Sequence, residues 1–80
     1  MDLAVTYVNL AQLYDALDPE DDRIGENLDL AFSCFDDTGV SRDGYYAHTC
    51  RKCAPAFGFF GRFMDEAELN KRADDFYAGH

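Results

Sequence analysis

The apolar spacing in the first 17 residues is the strongest constraint on how this chain folds. Hydrophobic side chains recur at alternating intervals of four and three residues, the period of one face of an α-helix. The stripe consists of Leu3, Tyr7, Leu10, Tyr14 and Leu17. Val8, Ala11 and Leu13 widen it, whereas Asn9 falls on the other side. The sequence therefore predicts an amphipathic helix over residues 3–17.

The next segment begins with a helix-start signal. Asp18 can accept a hydrogen bond from a free N–H of the first turn, and Pro19 suits the first helical position because it needs no donor there. Residues 28–35 fit two patterns: an alternating strand pattern and a helical face that includes Leu28 and Phe35. We favour the helix, because no break separates this run from the start signal. The alternative is a hairpin that pairs residues 28–35 with residues 44–50.

The second half of the chain contains weaker helix signals. Residues 36–44 are rich in turn formers, and residues 49–53 predict a short helical turn that Pro55 ends or restarts. Asp65 and Glu68 resemble a capping box before a last helix that ends near residues 78–79. The predicted fold is mainly α, a single domain over residues 1–80 with three to four short helices. The alternative is an α+β domain with the hairpin.

Composition favours a folded protein in a reducing compartment. Hydrophobic residues make up 48% of the 80 residues and aromatic residues 15%, which is too rich for a disordered acidic tail. The three cysteines are an odd number, which argues against a closed disulfide framework. The first residues contain no basic region before an apolar run, and no stretch is long enough to span a membrane. We therefore expect a cytoplasmic protein.

Charge is segregated along the sequence. Ten of the sixteen acids lie in the first 37 residues, where Arg23 is the only base, so this block carries the same charge of −9 as the whole chain. Residues 38–64 sum to +3 and residues 65–80 to −3. A net charge of −9 repels nucleic-acid phosphates and anionic membranes, so we expect neither as a direct partner. The expected partner of an acidic surface is a basic one.

The strongest local candidate for a chemical site is a group of cysteine and histidine residues. Cys50 and Cys53 have the spacing of two zinc ligands, and His48 and Cys34 would complete a tetrahedral site. A second pair of this spacing is missing, so the alternative is that the cysteines are reduced and packed as small hydrophobic residues. Zinc is accordingly an optional cofactor in this interpretation, and no other cofactor is predicted.

The sequence offers no catalytic signature. Adjacent acids such as Asp21 and Asp22 point apart on a helix, which favours a solvated acidic face over a catalytic or metal-binding pair. We therefore predict that the protein is not an enzyme. Aromatic residues of the basic middle segment, Phe57 and its neighbours, are expected in the core, whereas Tyr45 and Tyr46 are expected at the surface, where tyrosine often serves in interfaces.

In size, charge and lack of a catalytic motif, the chain resembles the small acidic inhibitors of phages and mobile elements, including anti-CRISPR proteins and antirestriction DNA mimics. The resemblance covers the whole chain but is one of composition only. It implies a protein of the bacterial host's cytoplasm that blocks DNA binding by acidic mimicry, with a CRISPR effector or another nucleic-acid-binding complex of the host as its partner. The expected contact residues are Asp15, Asp18, Glu20, Asp21, Asp22, Glu26, Asp29, Asp36, Asp37, Tyr45 and Tyr46.

A second hypothesis is a small protein–protein interaction module supported by zinc. In that case the four Cys and His ligands stabilise the fold, and the acidic face only provides solubility. The sequence leaves open whether the protein is a monomer or a dimer.

Overall fold

A computed structural model describes residues 1–79. It contains four α-helices: α1 (Asp2–Leu17), α2 (Asp22–Asp36), α3 (Gly44–Phe59) and α4 (Phe63–Ala78). No strand occurs among the described residues. The prediction of a mainly α protein with up to four helices is therefore confirmed. Contacts divide the chain into two compact units, residues 1–37 with α1 and α2, and residues 38 onwards with α3 and α4. The prediction of a single domain over residues 1–80 stays a prediction.

The alternative α+β fold is wrong, because both halves of its hairpin are helical. Residues 28–35 lie in α2 and residues 44–50 lie in α3. In α2 the residues at helical spacing, Ile24, Leu28, Ala31 and Phe35, are all buried. Leu30, which the strand pattern would place beside Leu28 on a buried face, is 46% exposed. The helical period thus decides the conformation, because it buries the apolar side chains on one face.

The first unit is a helical hairpin with a short connection. α1 packs against α2 through small residues, and Ala4, Val8 and Ala11 are its buried positions. The helix itself is confirmed, and Val8 and Ala11 of the widened stripe are buried, but the two ends of the stripe lie outside the buried face. Leu3 is 55% exposed and Leu17 is 74% exposed. On the α1 side the seam consists of small side chains, and the large buried side chains, Leu28 and Phe35 among them, come from α2.

Asp18 does not cap α2 as the sequence predicts. Its Oδ1 instead accepts a hydrogen bond from the Glu20 N–H at 3.0 Å, which closes a tight turn around Pro19. The cap is Asp21, whose Oδ1 accepts a hydrogen bond from the Arg23 N–H at 2.9 Å. Asp18 and Pro19, which carry the predicted helix-start signal, therefore lie in the turn, and α2 begins after the next residue that can act as a cap, Asp21.

The second unit is also a hairpin, with a longer first helix than the sequence indicates. α3 begins after Asp43, whose Oδ1 accepts a hydrogen bond from the Tyr46 N–H at 3.0 Å. Pro55 lies inside α3 on an exposed face, so the expectation that it ends or restarts a helix is wrong. Phe57 and Leu69 are the largest fully buried side chains of this unit, and Tyr46 is nearly as deeply buried.

The connection between α3 and α4 depends on a glycine with positive φ. Gly61 has φ of 81°, a left-handed conformation that glycine adopts without steric cost. The Arg62 N–H then donates to the Phe57 carbonyl at 2.8 Å, which closes the end of α3. The expected capping box at Asp65 is wrong, because α4 already begins at Phe63 and the Asp65 carboxylate pairs with Arg62 at 3.0 Å.

Candidate interaction surface

The charge boundary in the sequence coincides with the structural boundary. Residues 1–37, which form the first unit, carry the whole net charge of −9. From residue 38 onwards, six acids balance six bases. Several of these acids and bases pair within the second unit, including Arg72 with Glu68 at 2.7 Å. The acidic field of the protein therefore originates in one hairpin.

Four carboxylates of the first hairpin line one face of α2. Asp22, Glu26, Asp29 and Asp36 are all exposed, and they follow each other at intervals of four, three and seven residues. In a helix with 3.6 residues per turn, these positions fall within an arc of about 80°. The first and last of these residues are 14 positions apart, which corresponds to about 21 Å along the helix axis. We call these four residues the acidic stripe.

Other predicted contact residues surround the two ends of α2. Asp18 and Glu20 are exposed in the turn before α2, and Asp37 is exposed directly after it. Asp15, in the last turn of α1, is half-buried. These acids extend the negative surface beyond the acidic stripe, but Asp18 also has the structural role described above.

Asp21, the cap of α2, is neutralised by a base of the same helix. Its carboxylate forms an ion pair with the Arg23 guanidinium at 2.6 Å, and this hydrogen bond holds the pKa of Asp21 below its usual value. Arg23 also lies over the ring of Tyr14 at 4.3 Å from its centroid. Arg23 thus contacts both Asp21 and Tyr14. We therefore regard Asp21 as a structural residue.

The two predicted contact tyrosines belong to the second unit and differ in exposure. Tyr45 is 54% exposed, as expected of a surface residue. Tyr46 is only 3% exposed, so its expected surface position is wrong. The two residues are adjacent on α3, and the helix turns one outward and the other into the core.

The predicted zinc ligands occupy different environments. Cys50 and Cys53 are buried in α3, His48 is exposed on the same helix, and Cys34 is half-buried in α2 of the first unit. Burial raises the pKa of all three thiols, that of Cys53 to about 11. Among residues 1–79, no three His, Cys, Asp or Glu side chains lie close enough together to hold a metal ion. The zinc site therefore stays a prediction.

Two surface features of the second unit are not evident in the sequence. Phe59 and Phe63 are 75% and 67% exposed beside the α3–α4 turn, although aromatic residues of this segment were expected in the core. A cavity also lies between the start of α3 and the second half of α4, and its lining includes Arg42 and Arg72. These two arginines are 30 residues apart in the sequence, so no local motif could have linked them.

The chain matches no protein-family model, no curated protein and no solved structure. No helix among residues 1–79 combines the length and apolar character needed to cross a bilayer.

Proposed function

We propose that this protein is a non-enzymatic inhibitor that binds a basic nucleic-acid-binding surface of a bacterial host complex. A CRISPR effector in the host cytoplasm is the target that we would test first. The observation that carries the proposal is the acidic stripe, which lies on a hairpin that holds the whole net charge of −9. The inhibitor would act by occupying the site that DNA otherwise occupies.

The spacing of the stripe supports mimicry of a phosphate backbone. Four carboxylates over about 21 Å give roughly one charge per 7 Å along the helix axis. One strand of B-DNA carries one phosphate per about 3.4 Å. The stripe therefore supplies about one carboxylate for every second phosphate. The acids around the ends of α2 add further negative charge.

Rigid presentation also supports the proposal. The stripe lies on a helix whose opposite face is anchored by buried residues such as Leu28 and Phe35. Carboxylates held on an ordered helix lose less conformational entropy on binding than carboxylates on a flexible tail. Their combined field accelerates association with a positively charged groove, and salt screens that attraction.

The test is displacement of labelled DNA from a purified CRISPR effector complex, followed by fluorescence anisotropy. The wild-type protein should lower the anisotropy in a saturable manner. The double variant Glu26→Gln/Asp29→Asn should need at least about tenfold more protein for the same displacement, because two charges of the stripe are lost without a change in side-chain size.

A matched control distinguishes the effect of the acidic stripe from the effect of total charge. The variant Asp74→Asn/Asp75→Asn removes the same number of charges from α4 of the second unit, where Arg51 and Lys71 pair with these acids. It should displace DNA within about twofold of wild type. Equal weakening by both double variants, with circular dichroism showing that both are folded, would contradict a role of the stripe.

A further inference from the structure

The cavity in the second unit has the composition of a ligand site. Its volume is about 270 Å³, and it is lined by Arg42, Tyr46, Arg72, Asp75 and Phe76. Arg42 precedes α3, Tyr46 lies in its first turn, and the other three residues lie in α4. The volume is close to the lower end of the range for small-molecule sites, about 300 Å³. It therefore suits one small molecule.

Two guanidinium groups give the cavity its polar character. Arg72 is held in place, because its Nε donates to Glu68 at 2.7 Å and its Nη1 donates to the Tyr46 hydroxyl at 3.1 Å. Arg42 lies over the Tyr46 ring at 5.4 Å from its centroid. Within residues 1–79, no carboxylate forms an ion pair with Arg42. Its positive charge is thus available to an anion at the cavity.

The remaining lining residues favour a ligand that also has a ring. Phe76 presents an aromatic side chain to the cavity and packs beside Gly44, where an added Cβ would lie 3.6 Å from the Phe76 ring. Asp75 supplies a carboxylate whose charge is offset by Lys71 at 2.7 Å. A ring of the ligand can stack on Phe76, and a hydroxyl or amino group of the ligand can donate a hydrogen bond to Asp75.

We infer that this cavity binds a small phosphate monoester that carries an aromatic ring. The phosphate would lie at Arg42 and Arg72, since a guanidinium group matches phosphate oxygens in charge and in hydrogen-bond geometry. The ring would pack against Phe76. This site is separate from the acidic stripe and does not depend on the proposed function.

The experiment is an NMR titration of the whole chain with adenosine monophosphate and with phenyl phosphate. Saturable shifts of the Arg42 and Arg72 Nε–H signals by at least one of the two compounds support the inference. Adenosine without phosphate should bind at least about tenfold more weakly, because it lacks the group that the arginines hold. Absence of saturable shifts with both phosphates would overturn the inference.

Variants test whether the cavity itself is responsible. Arg42→Gln should weaken binding by at least about tenfold, and because Arg42 is exposed, the fold should be unaffected. Lys52→Gln is the matched control, since Lys52 is another exposed base of the second unit without an ion pair among the described residues. Equal weakening by both variants would mean diffuse attraction to positive charge and would overturn the site.

Discussion

Phe57 should be among the most important single side chains for stability in the second unit. It is 0% exposed, so Phe57→Ala removes a whole ring from the core and leaves a cavity. Substitutions of this kind cost about 3–5 kcal/mol. In a domain of this size each kcal/mol lowers the melting temperature by about 4–8 °C. We therefore expect a decrease of at least about 12 °C, measured by circular dichroism at 222 nm, and a smaller decrease for Phe57→Leu.

Phe59 is the matched control for this prediction. It lies two residues further along the same helix and is 75% exposed, so Phe59→Ala should change the stability by no more than about 0.5 kcal/mol. The sequence alone does not distinguish these two phenylalanines, whereas the structure does. Equal destabilisation by the two alanine substitutions would refute the assignment of the α3 core face.

Three further predictions concern local features of the second unit. Pro55→Ala should raise the free energy of unfolding in urea by about 1–3 kcal/mol, because α3 regains a backbone donor in its interior; no gain would mean that the helix is interrupted there. Asp43→Ala should lower it by about 1 kcal/mol through loss of the α3 cap, and Asp43→Asn should not. Burial raises the pKa of the Cys53 thiol from an ordinary value of 9.0 to about 11, so the protein should lose stability as pH rises through this window. Unfolding in urea would be measured at pH values of about 8 and about 10.5, which lie on either side of the reference thiol pKa. Cys53→Ser should reduce the loss of stability between these two pH values, and an unchanged pH dependence would contradict the raised pKa.

The helical conformation of α1 and α2 was predictable from the sequence because periodic apolar spacing extends over several turns, whereas for α3 the sequence indicated only a short turn. Helix ends were less predictable, since several residues compete for each cap. Asp18 and Asp21 are both good caps, and only the geometry of the turn selects Asp21. Pro55 illustrates the opposite problem, because tertiary packing of Phe57 and its neighbours maintains a helix that local propensity disfavours.

The buried face of α1 was only partly predicted, since Val8 and Ala11 were expected there but Ala4 was not. Large apolar residues such as Leu3 and Leu17 dominate any hydrophobic pattern, but the seam with α2 is formed by Ala4, Val8 and Ala11. Close packing of helices rewards small side chains that a pattern search ranks low. By contrast, the acidic stripe could be anticipated, because charge segregation is a property of the sequence itself. Its placement on one face of α2 required the correct helix register.

If the acidic stripe occupies a DNA-binding surface, its binding must depend on salt, because salt screens the attraction between opposite charges. We would measure the dissociation constant between the protein and a CRISPR effector complex from about 50 to about 200 mM salt, for wild type and for Glu26→Gln/Asp29→Asn, with DNA as competitor. We expect an affinity that falls steeply with salt, a shallower salt dependence for the variant, and competition by DNA. Binding that is independent of salt, or that persists beside bound DNA, would contradict it.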